Sequence, residues 1–231
     1  MSEGRDGRHA RWDDHREQRR RHILDAAIEV VETAPVGAEL TLADVADRAG
    51  LVRTVVQRHF GGTTGLVRAV QADVLRQAFA RISGPLDDVR TLGELVERLV
   101  GQTVVWVRDH PALHNLVERD AGDGEPSELA TIIGEYADFL ANLTQLIATG
   151  FGVVLDERRL EEIRLLCIGI IAHVRAAVAH WARQDGRMIS ADELTDLLAG
   201  WTLVQVVAHS ASYGVEMEAS TSLDGLLATI G

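Results

Sequence analysis

The sequence predicts an all-α protein in which a small three-helix N-terminal domain precedes a larger helical body. Three observations carry this expectation. Only four prolines interrupt 231 residues, apolar residues recur at three- and four-residue spacing along most of the chain, and the periodic segments begin at capping residues and stop at glycine or proline. No segment makes a convincing strand. With 46% hydrophobic and 25% charged residues, the composition is ordinary for a soluble globular chain able to bury a sizeable core in one or two domains.

Residues 1–15 read as a flexible arm. With the start of the first helix they hold Arg5, Arg8, Arg11, Arg16, Arg19, Arg20 and Arg21, interleaved with Glu3, Asp6, Asp13, Asp14 and Glu17, and they lack the apolar centre of a secretory signal. The first helix spans about 16–33, with Ile23, Ala26, Ala27, Val30 and Val31 as its buried stripe, and stops before Pro35-Val36-Gly37. Thr41 caps the second helix, and the Asp44 carboxylate is placed to reach back to the capping amide. Leu42, Val45, Ala46 and Ala49 follow at helical spacing, and Gly50 ends the helix. In the third helix Leu51, Val56 and Phe60 face inward, while Arg53, Thr54, Gln57 and Arg58 face outward. Gly61-Gly62 turns the chain into a fourth helix over about 63–82, broken by Ser83-Gly84-Pro85.

The body, residues 83–214, holds five further helices. The first covers about 88–108, with Leu92, Leu95, Val96, Leu99, Val100, Thr103 and Val107 on one side. A shorter helix starts at His110-Pro111, a flexible loop covers 121–125, and a helix opened by Pro126 reaches about 150. Asp156 caps a helix to about 184, and the Ser190–Glu193 capping box starts another to about 212. Residues 215–231 are a tail, either mobile or a short docked helix.

The segment Thr41–Phe60 reads as a helix-turn-helix, which makes double-stranded DNA the first partner to consider. The outward residues of its second helix are long or polar enough to touch base edges and phosphates in a major groove. Residues 16–62 are then a DNA-binding domain, and 63–82 is the connecting helix. The arginine-bearing arm is either a minor-groove reader or a solvated leader.

These residues resemble the TetR family of one-component transcriptional regulators. The resemblance lies in the capping Thr41, in Val45-Ala46-Asp47-Arg48-Ala49-Gly50, in Arg58-His59-Phe60, and in the glycine turn before Leu66. It covers roughly residues 18 to 70. It implies DNA-binding roles for Thr41, Arg53, Thr54, Gln57, Arg58, His59 and Thr63, with Thr41 orienting the second helix and His59 and Thr63 at phosphates. Three positions depart from the family pattern: Val52 where a polar residue such as Ser is usual, Gln57 where Tyr is, and Thr63 where Lys is. Each hydroxyl or cation missing from a phosphate weakens binding and lowers its salt dependence, and the arm is the candidate substitute.

Charge divides along the chain. Residues 1–70 hold 11 Arg and 11 acidic residues and residues 71–231 hold 12 and 24, so the net charge of −12 lies in the second part. Nucleic acid is repelled there and can approach only the first part. The single Cys167, among Leu165, Leu166, Ile168 and Ile170, reads as a buried reduced thiol. The most apolar stretch, near 163–181, is broken by Arg164, His173 and Arg175, so no membrane span is expected and the location is cytoplasmic by default.

No phosphate-cradling glycine loop, nucleophile elbow or His-Glu-x-x-His helix is present, so neither an enzyme nor a cofactor is expected. His173 and His180 share a helix face but lack nearby Cys or clustered carboxylates, so no metal site is expected.

The last two long helices are apolar beyond one face. Gly169, Ala172, Ala176 and Ala179 line one, and Leu197, Leu198, Trp201, Leu203, Val204, Val206 and Val207 surround much of the other. Such helices must be covered, either inside a monomer core or, as the expectation here, in a homodimer built on a four-helix bundle. The resemblance implies a small-molecule effector in the body, largely apolar. Trp106, His110, His114, Tyr136 and Phe139 are its candidate contacts, and their alternative role is ordinary core. The expected function is a ligand-responsive repressor, released from a pseudo-palindromic operator. The competing reading is a helical dimer with a degenerate helix-turn-helix, binding small molecules or proteins without an operator.

Overall fold

Side-chain caps at Thr41, Thr91, Asp156 and Ser190 decide where four of the helices begin. The computed structural model describes residues 3–119, 128–184 and 187–226, and among them it contains nine α-helices and one isolated antiparallel bridge, Thr91 to Ser222. The chain divides into two compact units, Met1–Leu75 with His110–Leu129 and Arg76–Asp109 with Ala130–Gly231.

In the first unit, α1 runs from Glu3 to Thr33. It starts well before residue 16, so the segment expected as a flexible arm is helical from Glu3. No proline precedes Pro35, and Glu17 stands three and four residues before Arg20 and Arg21, spacings that support a helix. Ile23, Leu24, Ala26, Ala27 and Val31 are buried. α2 (Leu42–Ala49) buries Leu42, Val45, Ala46 and Ala49, and α3 (Arg53–Phe60) buries Val56 and Phe60. α4 spans Thr63–Ile82 and carries residues of both units.

α6 (Pro111–Glu118), expected in the body, belongs to the first unit. It buries Ala112, Leu113, Leu116 and Val117, and polar bonds attach it as well. Gln71 Nε2 donates to the carbonyls of Leu116 and Arg119 at 2.8 and 2.9 Å, satisfying acceptors that the end of a helix leaves open. The Arg119 guanidinium donates to Ala38 O at 2.8 Å, and His110 pairs with Glu32 of α1.

In the second unit, α5 covers Leu92–Asp109 and starts about four residues later than expected. Thr91 Oγ1 accepts from Glu94 N at 3.2 Å while Glu94 Oε2 accepts from Arg90 N at 2.7 Å, a reciprocal cap that places the helix start after Thr91. α7 (Glu128–Gly150), α8 (Glu157–Ala182) and their connection build a hydrophobic core of Ala137, Ala141, Ala148, Leu155, Ile163 and Cys167. The loop expected at 121–125 lies outside the described residues. Burial pushes the Cys167 thiol up to about 11, so it remains protonated. α8 is long and apolar enough to cross a membrane by length and composition, but Ile163, Cys167, Val174 and Val178 are buried within the unit.

α9 (Ala191–Ala211) opens with the expected capping box: Ser190 Oγ accepts from Glu193 N at 3.2 Å, and Glu193 Oε2 accepts from Ser190 N at 2.8 Å. These bonds hold the Glu193 carboxyl below its ordinary range.

The tail departs from expectation. Rather than moving freely or forming a helix, residues 215–226 dock in extended and turn conformation, with Leu92 N donating to Thr221 O at 3.0 Å and Leu223 N to Arg90 O at 2.7 Å. Val215 and Leu223 are buried, and the Leu226 side chain lies where a Cβ on Gly150 would come within 2.3 Å of it. The backbone amides at the start of α5 need acceptors, and the tail supplies them.

Ser190→Ala removes one half of the box on α9, and its expected cost is about 1 kcal/mol, read as a lower midpoint in urea denaturation with an unchanged slope.

Candidate nucleic-acid interface

The geometry of α2 and α3 follows from two glycines and one cap. Thr41 Oγ1 accepts from Asp44 N at 3.2 Å and donates to Asp44 Oδ2 at 2.6 Å. The carboxylate engages the hydroxyl rather than the capping amide as expected, since Asp is one methylene shorter than the Glu that closes the boxes at Thr91 and Ser190. Gly50 ends α2 at φ 64°, and Leu51 N donates to Ala46 O at 2.9 Å, closing a left-handed C-terminal turn. Gly61 ends α3 in the same way at φ 73°, its amide donating to Gln57 O.

Val52, the N-cap residue before α3, makes no side-chain cap and is 65% exposed. This is the physical content of one sequence departure: the first amides of α3 lack the acceptor that Ser would supply.

Arg53, Thr54, Gln57 and Arg58 are all exposed, as are Thr41 and Thr63, while His59 is half-buried. At about 100° per residue Thr54 and Arg58 stand away from the buried Val56 and Phe60, while Arg53 and Gln57 flank that face and are exposed beside it. Thr63 is the first residue of α4. Burial, and then the charges of Arg16, Arg58, Arg19 and Arg20, lower the His59 pKa below its ordinary 6.5, so its ring is neutral at pH 7.

Three features of this unit had not been singled out in the sequence. First, Gly65 lets α4 pass against the end of α3: a Cβ there would stand 1.9 Å from the Phe60 carbonyl oxygen. A glycine in the first turns of a helix, where it costs about 1 kcal/mol against Ala, was the available signal. Second, the arginines of α1 separate into two groups. The Arg21 guanidinium binds Asp73 of α4 through two bonds of 2.6 and 2.7 Å and Asp25 at 2.6 Å, and these bonds raise its pKa further. Arg16, Arg19 and Arg20 instead contribute their charge at His59. Third, His22 Nε2 lies 2.9 Å from Ala49 O and Arg48 pairs with Glu29 at 3.1 Å, so α1 holds the end of α2 on both sides. One-dimensional spacing could not pair residues so far apart.

The candidate effector contacts divide between the units. His110 and His114 lie in the first, and Trp106, Tyr136 and Phe139 in the second. His114 is buried, with Nε2 3.9 Å from Glu118 Oε1. Tyr136 stacks on Phe79 at 4.4 Å and on Phe139 at 5.9 Å between ring centroids. Its hydroxyl bonds to Ser83, and burial pushes its pKa up to about 12. Among the described residues no group of three or more His, Cys, Asp or Glu could hold a metal ion.

Val52→Ser should add a cap to α3 and stabilise the protein by about 1 kcal/mol, measured as a higher denaturation midpoint.

No family model matches the chain. An uncharacterized HTH-type transcriptional regulator of Mycobacterium tuberculosis is 27% identical over 231 residues, covering 95% of this chain and 87% of that protein. Among solved structures, a TetR-family transcriptional regulator from Streptomyces coelicolor superposes with a TM-score of 0.60 at 20% identity, covering 85% of this chain and 83% of that one. The fatty acid degradation regulator FadR from Bacillus halodurans gives 0.59 at 15% identity over 80% and 94%. The chain has the fold of the TetR-family transcriptional regulators.

Proposed function

We propose that the protein is a DNA-binding transcription regulator: a homodimeric repressor released from a pseudo-palindromic operator by a small molecule. The observation that carries this reading is the exposed set Arg53, Thr54, Gln57 and Arg58 on a helix anchored through its buried Val56 and Phe60. That combination presents groove-reading side chains on a fixed support. In this reading the four contact bases and phosphates, His59 and Thr63 meet the backbone, and Thr41 orients α2. Partner DNA implies a cytoplasmic location and a binding rather than a catalytic role.

The dimer belongs to the same proposal. Trp201 and Val204 on α9 are 51% and 69% exposed, and Leu197 and Gly200 stand exposed beside them. On α8, Leu165, Gly169, Ala172 and Ala176 are exposed as well, while Ala179 of the expected small-residue stripe is buried. The ring of His173 lies 5.6 Å from that of Trp201, so the two exposed rows adjoin. A contiguous apolar surface of this kind is suited to self-association, and two-fold pairing presents two recognition helices to two half-sites.

The effector is proposed to occupy the second unit beside Trp106, Tyr136 and Phe139, whose rings favour a largely apolar ligand with one or two polar points. His110 and His114, in the other unit, are not assigned to that pocket. α4, which carries residues of both units and is bound to α1 through Arg21–Asp73, is the proposed lever that displaces the recognition helices when ligand binds.

Selection from a pool of genomic fragments is expected to enrich one pseudo-palindrome, and Arg53→Ala and Gln57→Ala should relax base preference, each at a cost of about 1–3 kcal/mol if its contact is bidentate. Unchanged preference in both variants refutes this recognition face. Val204→Arg, placing a charge in the proposed interface, should yield monomers in sedimentation equilibrium and lower operator affinity; a dimer of undiminished stability would place the interface elsewhere.

A further inference from the structure

The arginines of α1 before Ile23 are unevenly used. Ile23 is buried, and one turn before it the Arg20 guanidinium lies over the Phe60 ring at 4.9 Å from the centroid. Phe60 is the last residue of α3, so this contact places the outer part of α1 at the end of the recognition helix that carries Arg58 and His59. Arg16 and Arg19 are exposed and Arg20 is half-buried. At about 100° per residue the three fall within one ~100° sector of the helix, and Glu17 lies outside it. Arg21, by contrast, is engaged by two carboxylates.

We propose that Arg16, Arg19 and Arg20 of α1 form, together with Arg58 of α3, a rigid ridge that grips the phosphates of duplex DNA beside the groove entered by α3. This rests on the DNA-binding reading above and adds a second element to it, a backbone grip carried by a helix rather than a flexible arm searching the minor groove.

Several observations converge on it. The cations gather at one place although the first 70 residues are neutral in sum, with 11 Arg and 11 acidic residues, so the pattern is local and not a by-product of net charge. Burial is the largest cause of the lowered His59 pKa, and the charges of Arg16, Arg58, Arg19 and Arg20 add to it, which places all four cations within reach of one ring. Spacing also suits the partner: four residues of helix advance about 6 Å, and phosphates of one strand follow every ~3.4 Å along the duplex axis, so arginines a turn apart meet phosphates one or two steps apart. The Phe60 contact holds the Arg20 guanidinium, which reduces the ordering that binding must impose.

The test uses the full chain and the duplex selected above, or a random-sequence duplex if none is selected, titrated from low to moderate salt. Arg16→Gln with Arg19→Gln is expected to reduce the slope of log affinity against log salt by about 0.9 for each phosphate no longer neutralised, close to 2 for both, while base preference and the thermal midpoint stay unchanged. Arg16→Lys with Arg19→Lys should restore the slope, since it returns the charge. A slope unchanged in the Gln variant, or not restored by Lys, overturns the ridge. If one palindrome is still selected in that case, the operator reading stands without it. If the slope falls but no sequence is ever preferred, the ridge stands and the operator reading fails. No binding to any duplex removes both.

Discussion

An eight-residue helix without a side-chain cap has little stability of its own, and α3 exists because its surroundings hold it. Val56 and Phe60 are buried, Gly61 closes its end, and Gly65 allows α4 to pass so near that any larger residue would collide with the Phe60 carbonyl. The side chains that face outward are therefore aimed by contacts made on the inward side. Orientation of Arg53, Thr54, Gln57 and Arg58 depends on this one close approach more than on anything the four residues do themselves.

The rest of the first unit braces that arrangement. Arg21 fastens α1 to α4 through Asp73, a carboxylate only 14% exposed, where a bidentate pair is stronger than its counterparts on an open surface. Gln71 fastens α4 to the end of α6, and Arg119 fastens α6 to the connection between α1 and α2. The first half of α4 is thus joined by directional bonds to both α1 and α6.

The body answers a different problem, that of helices with more apolar surface than one face can hide. α8 places Ile163, Cys167, Val174 and Val178 inside the unit and leaves a small-residue row outside it. α9 buries Leu198 completely while Trp201 and Val204 remain open to solvent. Exposed side chains of that size gain about 25 cal/mol per Å2 when covered, and the small residues opposite them permit close approach by another helix. The tail meets a need of another kind, offering carbonyls to the amides at the start of α5 and a buried Leu223 to the adjoining core.

What was legible in the residues was whatever short-range physics dictates. The helix-turn-helix, the stripes of α1 and α2, the start of α9 at Ser190 and the stops at Gly50 and Pro35 all depend on neighbours within four positions, and periodicity and capping chemistry report such neighbours directly. The outward set on α3 was legible for the same reason, since a helix with two buried residues in eight leaves few choices. Tertiary structure alone decided the pairing of Arg21 with Asp73, the attachment of α6 through Gln71 and Arg119, the docking of the tail on α5, the helical continuation of α1 to Glu3 and the gathering of Arg16, Arg19 and Arg20 at His59. Those features join residues tens of positions apart or depend on a balance of weak local preferences, and neither distance in space nor the sum of small energies is written in the spacing of residues along a chain.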